Sequence, residues 1–462
     1  MRYDLIVIGS GPAGEKGAAQ AAYFGKNVAL VEKAQFPGGA AVNTGTLPSK
    51  TLRETALYLS GFRQRGLHGV DVTLGRTAKL PELLFHEQRV MEGERSRIDD
   101  NLSRHQVARF DGHARFLSPH SVHVSSPAGE QVLEADHILV ATGSAPYRPP
   151  EFPFDDVRVY DSDEMVRVHM IPRSMAVVGG GVIGCEYACL FAALGVDVTL
   201  VEPKSAVMTF LDAELSELLQ AEMQRLGVRL RLGERVTGVT VTKDAAKLEL
   251  SGGAPWVGDI VLVAAGRQAA TDELDLEKAG LTAGKRGALE VDAHFRTKVP
   301  SIWAAGDVIG FPALASTAME QARIAVVHMF DLQYKTKLAP VLPYGIYTIP
   351  EVSMAGETEA SLTEKKIPYV VGRAKLGENA RGRIIGEHHG MLKLLAAKAD
   401  GRLLGAHLIG EGATELIHVG LTALMVNASV ELFIQTCFNY PTLSEAYKYA
   451  AYDALGQLGQ GT

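Results

Sequence analysis

The feature that most limits what this chain can fold into is a unit that occurs twice. Near the start, YDLIVIGSGPAGEKGAAQAAYFGKNVALVEK runs from a β-branched segment through Gly9, Gly11 and Gly14, spaced G-x-G-x-x-G. An alanine-rich helical stretch follows, then a second apolar segment that ends at Glu32. SMAVVGGGVIGCEYACLFAALGVDVTLVEP repeats the unit with Gly179, Gly181, Gly184 and Glu202, and the acid follows the first glycine by 23 residues in both copies (9 to 32, 179 to 202). The first glycine permits a tight strand-to-helix turn, the second lets a pyrophosphate approach the backbone, and the third lets the helix pack closely on the strand. The helix N-terminus offers unpaired N–H groups and partial positive charge to phosphates. The acid can accept hydrogen bonds from a ribose diol. One G-x-G-x-x-G is a weak signal; two in matching context predict an α/β chain with two Rossmann-like dinucleotide-binding domains. The economical pair of ligands is a flavin held permanently and a nicotinamide that exchanges.

Three further strand ends fit this reading. EADHILVATGSAPYRPP (134–150) ends a strand at Thr142-Gly143 and continues into a proline-rich link suited to a domain boundary. IVLVAAGRQ (260–268) repeats that ending in the second unit, at Gly266. VPSIWAAGDVIG (299–310) places Asp307 where a carboxylate can meet a sugar or ribityl hydroxyl, although in isolation a turn aspartate is the simpler reading.

At 462 residues and 47% hydrophobic, the chain has room for two to four domains with buried cores. A net charge of −7 without a basic stripe argues against nucleic acid as a main partner. Cys185, Cys189 and Cys437 are too few for a disulfide framework or a metal cluster and fit a reducing cytoplasm. The first two, four apart on one helical face, read as packing residues. MRYDLIVIGSGPAG lacks the build of a signal peptide, so export is not expected. The apolar stretch 175–201 contains GGGVIG, Glu186 and Asp197 and reads as a buried strand–turn–helix, not a membrane span. EHHG at 387–390 lacks a partner cluster, and no metal is assigned.

In this order the pieces resemble the pyridine nucleotide–disulfide oxidoreductase family over essentially the whole chain. The motifs that carry the resemblance are the fingerprint at 9–14, the stretch GGAAVNTGTLPSK at 38–50, ATG at 141–143, the second fingerprint at 179–184, AGD at 305–307 and a C-terminal domain from about Leu342. The resemblance implies an FAD-binding domain over 1–147 and 272–335, an NAD(P)-binding domain over 148–271 and a C-terminal α+β dimerisation domain over 342–462. It implies a homodimer in which each C-terminal domain reaches the partner's flavin. By the same resemblance FAD is held by Gly9, Gly11, Pro12, Ala13, Gly14, Glu32, Lys33, Gly39, Gly45, Thr46, Lys50, Ala114, Thr142, Gly143, Asp307 and Ala315. NAD(H) or NADP(H) is held by Gly179, Gly181, Ile183, Gly184, Glu202 and Gly266.

Disulfide-using members read GG-x-C-x-N-x-GC-x-PSK at the opening stretch; here Ala41 and Thr46 occupy the two cysteine positions. Those members carry HPTLSE near the other end, whereas this chain has FNYPTLSE, with Tyr440 in place of the acid–base histidine and Glu445 retained. A methyl and a hydroxyl supply no thiolate, so dithiol exchange by the usual route is chemically excluded. FNYPT, GTLPSK and GDVIGFPALASTAMEQARIA resemble the soluble pyridine nucleotide transhydrogenase branch. That implies hydride transfer between NADPH and NAD⁺ through one flavin site, in ping-pong order. An NAD(P)H dehydrogenase passing electrons to a quinone or dye is the alternative, and a nucleotide-sensing flavoprotein is a third reading.

The resemblance places Lys50 near flavin N5, paired with Glu186. Thr46 either donates a hydrogen bond to the ring or fills the space of a sulfur. Tyr440 and Glu445 act at the acid–base position or only pack. Glu202 favours the free ribose diol of NADH and repels the 2′-phosphate of NADPH. Lys204, two residues on, either offsets that repulsion or is a solvated surface lysine.

Overall fold

The protein, seen as a computed structural model, is described over residues 2–61 and 80–459. Met1, 62–79 and 460–462, which fall in the expected first and C-terminal domains, lie outside the described residues. The chain begins with β1 (Arg2–Ile8), α1 (Pro12–Tyr23) and β2 (Val28–Glu32), the two strands pairing in parallel. Every residue of β2 is buried, as a parallel strand covered on both faces requires. Proline at the first position of α1 costs no hydrogen bond there.

After α2 (Gly39–Asn43), α3 (Thr46–Leu59), α4 (Leu80–Arg104) and β3 (Ala108–Asp111) comes an antiparallel ribbon of β4 (His113–Ser118), β5 (Ser121–Ser126) and β6 (Gly129–Val140). The polar first half of β6 pairs with β5 and is mostly exposed; its apolar second half pairs in parallel with β1 and is buried. One strand thus joins the ribbon to a sheet ordered β3-β2-β1-β6-β5-β4.

Two short strands connect the first sheet to the second. β7 (Ser144–Pro146) leads out, β16 (Arg267–Ala269) leads back, and they pair antiparallel as a strap. Between them lie β8 (Val159–Tyr160), α5 (Ser162–Met165), β9 (Ser174–Val178), α6 (Val182–Ala193), β10 (Asp197–Glu202), α7 (Ala213–Arg225), β11 (Arg229–Leu232), β12 (Val236–Val241), β13 (Ala246–Leu250), β14 (Trp256–Gly258) and β15 (Ile260–Val263). The second parallel sheet runs β11-β10-β9-β15-β8, and β12-β13-β14 form a separate antiparallel sheet. Helix α6 is apolar around most of its girth because it packs on both its sheet and α3.

β17 (Ile302–Ala304) returns to the first sheet beside β6, and α8 (Ala315–Met329) packs on α1. The C-terminal domain holds β18 (Tyr344–Ile346), β19 (Val352–Gly356), α9 (Glu359–Glu364), β20 (Tyr369–Lys375), α10 (Ala380–Ile385), β21 (Met391–Ala397), β22 (Leu403–Ile409), α11 (Ala413–Met425), α12 (Glu431–Gln435) and α13 (Ala446–Gly459). Its antiparallel sheet is ordered β18-β19-β22-β21-β20. Helix α13 lies so close to β20 that a Cβ on Gly372 would sit 2.0 Å from the Ala450 carbonyl oxygen. Among the described residues no helix is long and apolar enough to cross a membrane.

One hydrophobic cluster joins Leu52, Ala56 and Leu57 of α3 to the second sheet's domain and to Ile346, Ile349 and Val352 of the C-terminal domain. Helix α3 therefore sits where three domains meet.

Candidate active site at the junction of three domains

The two glycine turns are built alike, and each glycine has a separable reason. Gly9 has φ +99° and Gly179 +113°, and a Cβ on either would lie 2.5 Å from a carbonyl oxygen of the neighbouring strand end, Ala141 or Ala264. A Cβ on Gly14 or Gly184 would lie 1.8 or 1.9 Å from the carbonyl oxygen of Gly9 or Gly179. The middle glycines differ. A Cβ on Gly11 would meet only the Gly39 Cα at 3.9 Å, and one on Gly181 would meet nothing within 4 Å. The fold leaves room beside both that a side chain would fill, and α1 and α6 begin there without a side-chain cap. Open space against uncapped N–H groups fits the pyrophosphate of a dinucleotide.

This separation makes a prediction. Gly14→Ala should prevent the first domain from folding, because backbone atoms cannot yield 1.8 Å. Gly11→Ala should fold but hold FAD about ten- to a hundred-fold more weakly, the scale of one charge-assisted contact. FAD retention on gel filtration, with circular dichroism for folding, checks both. Equal loss of fold in the two variants would refute the assignment.

The acids at the strand ends also share one arrangement. Glu32, buried, accepts from the Ser10 N–H at 2.8 Å, the Ser10 hydroxyl at 2.6 Å and the Ala34 N–H at 2.7 Å. Glu202, half-buried, accepts from the Gly180 N–H at 2.5 Å and the Lys204 N–H at 2.9 Å. In both copies the carboxylate is pinned by the residue after the first glycine and by the residue two positions beyond itself. Ser10 and Gly180 sit inside the fingerprints, where spacing could have singled them out.

Around the first turn, Gly38 donates to the Ser10 carbonyl at 3.2 Å, and a Cβ on Gly39 would lie 3.0 Å from the Gly11 Cα, so α2 is seated on the turn. Thr142, just beyond the end of β6, has a buried hydroxyl oxygen with no partner among the described residues, a second indication of a polar ligand. Gly143 follows at φ +68°. Asp307, after β17, accepts from the Ser144 hydroxyl at 2.7 Å, and Arg267 donates to that hydroxyl at 2.8 Å and to the Ser144 carbonyl at 2.7 Å. The strap between the domains is thereby tied to Asp307. Ala315 opens α8, again without a side-chain cap. Ala114 is buried on β4 beside the Glu32 strand end, with Gly112 donating to the Glu32 carbonyl at 2.8 Å. Pro12 and Ala13 form the first turn of α1, and Ile183 the first turn of α6. Gly266, at φ +100°, accepts from the Tyr147 N–H at 2.9 Å. Lys33 is exposed and paired with Glu273 at 2.7 Å.

At the three-domain junction Lys50, on α3, meets Glu186, on α6, with Nζ 2.6 Å from Oε2. The other Glu186 oxygen accepts from the Tyr347 N–H at 2.9 Å, and the Tyr347 ring centroid lies 5.1 Å from Nζ. Lys50 is 24% exposed and Glu186 9%, so the pair is largely desolvated and needs this matching. The contribution of Tyr347 had no signature in the sequence. Arg53, one turn further along α3 and buried, donates to the Thr348 carbonyl at 3.0 Å and pairs with Glu351 at 3.3 Å, holding the segment that carries Tyr347. Gly45 begins α3; a Cβ there would lie 3.0 Å from the Ala40 carbonyl oxygen. Thr46 is exposed one turn before Lys50.

No thiol joins this group among the described residues. Cys185 and Cys189 are fully buried in α6, where burial raises both thiols, that of Cys189 to about 12. Cys437 is exposed on the C-terminal domain. Tyr440, 76% exposed, and Glu445 lie between α12 and α13, in a segment that packs on α10, α11 and α13 of its own domain. No hydrogen bond or ion pair joins either side chain to Lys50 or Glu186 among the described residues.

Residues 3–322 match the family model described as pyridine nucleotide-disulphide oxidoreductase, and 342–451 match the dimerisation domain of that family. The soluble pyridine nucleotide transhydrogenase of Mycobacterium bovis (strain BCG / Pasteur 1173P2) is 46% identical over 99% of this chain and 98% of its own. That of Colwellia psychrerythraea is 40% identical over the same shares. Among solved structures, LpdA from Mycobacterium tuberculosis superposes with a TM-score of 0.90 at 27% identity, covering 98% of this chain and 99% of that one. The HOCl-induced flavoprotein disulfide reductase RclA from Escherichia coli does so with 0.87 at 26%, covering 96% and 98%. With both glycine turns, the space beside them and these matches along nearly its full length, the chain belongs to the pyridine nucleotide-disulphide oxidoreductase family, as an FAD-dependent NAD(P)H oxidoreductase with a dimerisation domain.

Proposed function

We propose that this protein transfers hydride between the two pyridine nucleotides, NADPH + NAD⁺ ⇌ NADP⁺ + NADH, in ping-pong order through one nucleotide site and without a thiol relay. The observation that carries the reading is Lys50 and Glu186 paired at the domain junction while Ala41 and Thr46 stand where a redox disulfide would be. The names of the 46% and 40% identical relatives support it. Bound FAD supplies the two-electron store between the half-reactions. The chain's own residues bind and orient. The N-termini of α1 and α6 hold pyrophosphates, Glu32 and Glu202 present carboxylates to ribose hydroxyls, and Asp307 and Thr142 offer polar groups between them. Lys50 contributes a positive charge whose position Glu186 and Tyr347 set, which favours the reduced side of each half-reaction.

In the homodimer Tyr440 and Glu445, carried by the C-terminal domain, face the partner's site. The position that holds a histidine in disulfide-using members holds a phenol here, and hydride exchange between nicotinamides needs no proton carrier there. Three unpaired cysteines suit a cytoplasmic setting.

Anaerobic steady-state assays should show transfer from NADPH to thio-NAD⁺ with parallel double-reciprocal lines. Thiols titrated under denaturing conditions should be equal in number before and after reduction by NADPH. Rapid quinone reduction without nucleotide transfer would replace this reading with an NAD(P)H dehydrogenase, and newly exposed paired thiols would refute the absence of a relay.

A further inference from the structure

Three aromatic rings, one from each domain, converge beside the second glycine turn. Phe311 comes shortly after Asp307 in the first domain, and Gly310, at φ +89°, makes the turn before it. Phe210 lies on the loop between Glu202 and α7 in the second domain. Tyr344 opens β18 in the C-terminal domain. The Phe311 and Tyr344 rings stack with centroids 6.1 Å apart and planes at 20°, and Phe210 tilts against Tyr344 at 6.2 Å and 50°.

Two of these rings are anchored to the two ends of the path that a dinucleotide takes from the second turn to Lys50. The Met208 N–H donates to the Gly180 carbonyl at 2.8 Å, and Met208 and Leu211 are buried, so Phe210 is left at the surface of a loop held on the fingerprint. Tyr344 shares its segment with Tyr347, whose N–H bonds Glu186 and over whose ring the Lys50 ammonium lies. The Ser353 hydroxyl donates to the Tyr344 carbonyl at 2.6 Å, which fixes that strand end. Phe311 differs from both. It is 81% exposed, and its only ring neighbour among the described residues is Tyr344. A lone exposed phenylalanine is ordinary, but this one is held at a rim by other rings, with most of its apolar face in water beside a site for an aromatic ligand.

We propose that Phe311 packs against the nicotinamide half of the bound pyridine nucleotide, backed by Tyr344 and Phe210, so that the three domains close a rim of rings over it. The inference rests on the hydride-transfer reading for where the nicotinamide lies, between α6 and Lys50, and adds the residue that covers it. An apolar ring recognises the half that NAD(H) and NADP(H) share and is indifferent to the 2′-phosphate, as a site used by both nucleotides in turn requires. The contact also takes the exposed ring out of water, which favours binding of either nucleotide.

Oxidised holoenzyme is titrated calorimetrically with NAD⁺, NADP⁺ and 5′-AMP, the last lacking the nicotinamide half. Phe311→Ala should bind NAD⁺ and NADP⁺ each about ten-fold more weakly, the scale of one aromatic ring removed from a contact, and 5′-AMP as tightly as the natural protein. Phe311→Tyr keeps the ring and should bind all three as the natural protein does. FAD content and circular dichroism, measured alongside, establish that the variants fold. NAD⁺ binding unchanged in Phe311→Ala, or 5′-AMP weakened as much as NAD⁺, overturns the inference. So does a change in sedimenting mass with nucleotide affinities unchanged, which would make the ring a contact between copies of the chain. A natural protein that binds only one of the two nucleotides would undo the hydride-transfer reading instead, and comparison of that nucleotide with 5′-AMP would still decide for or against Phe311.

Discussion

Lys50→Ala should slow reduction of the bound flavin by NADH and by NADPH alike, by about 10²–10³-fold, the usual cost of removing one charge or donor aimed at developing negative charge. The effect should be this large because of where the ammonium is held. It is 2.6 Å from Glu186, 5.1 Å from the Tyr347 ring centroid and 24% exposed, so water compensates poorly for its removal. Stopped-flow bleaching of the visible flavin band under anaerobic conditions measures the rate directly, with FAD content and thermal midpoint measured in parallel. Lys50→Arg retains charge but presents a planar fork to a carboxylate oriented for a point charge, and should recover only part of the rate. Glu186→Gln keeps the Tyr347 N–H bond and loses the charge that fixes the lysine, so a smaller loss, about ten-fold, is expected. Bleaching in Lys50→Ala as fast as in the natural protein would remove Lys50 from the reaction.

The parts of this site that could be read in advance are those whose partners are close in sequence or repeated. The 23-residue offset from glycine to acid recurs in both copies, and each offset brings the acid back onto the turn at Ser10 or Gly180. The Lys50–Glu186 pair spans 136 positions, and only the resemblance of GTLPSK and the second fingerprint to a known family linked them. Tyr347 was not legible, because its role depends on Arg53 and Glu351 bringing the β18–β19 connection down onto α3, and no local pattern encodes that approach. Lys33, included through the family resemblance, pairs with Glu273, an exposed partner on a segment distant in sequence that no local pattern indicates.

Lys393 is the one charge within MLKLLAA, a strand in which every residue is buried. A lysine at 0% exposure must find acids, and here it finds three. It bonds Asp212 at 2.7 Å, Glu214 at 2.8 Å and Glu359, so that β21 of the C-terminal sheet is tied to the start of α7 in the nucleotide domain. Arg373 takes Glu214 in a fork from β20. Buried His407 stands by, bonded to the Glu357 carbonyl and kept neutral by burial. The Asp212 carboxylate also accepts from the Glu214 N–H as the cap of α7, which places the knot at the end of the loop that begins at Glu202.

Lys393→Ala leaves Asp212, Glu359 and Glu214 facing one another without their shared cation, and should cost about 3–5 kcal/mol. In a chain of three domains the loss should appear as an earlier first transition in urea, when the nucleotide domain parts from the C-terminal sheet, and not as a uniform shift. The pH dependence separates this cause from simple loss of packing. Burial raises the Asp212 carboxyl, but the hydrogen bond and charge of Lys393 outweigh it and hold the group below its ordinary value; Glu214 is lowered likewise by Arg373 and Lys393. Burial lowers the Lys393 ammonium, and its three acids raise it above its ordinary value. Depressed acids stabilise the fold above their unfolded pKa values, about 4, and that contribution is lost as pH falls through the lower folded values. The raised lysine stabilises fully below its unfolded value, about 10.4, and ceases to do so as pH rises through the higher folded one. The natural protein should therefore hold its first transition steady from about pH 5 to 9. Lys393→Ala should become more stable as pH falls from 7 toward 5, because protonation relieves the acids that now repel. Restoring neutrality with Asp212→Asn and Glu359→Gln in the Lys393→Met background should recover part of the loss, since an apolar or neutral replacement of a whole buried cluster is far less costly than an unpaired remnant. If Lys393→Ala instead tracks the natural protein at every pH, the cluster contributes packing alone and the domains are joined by their hydrophobic contacts.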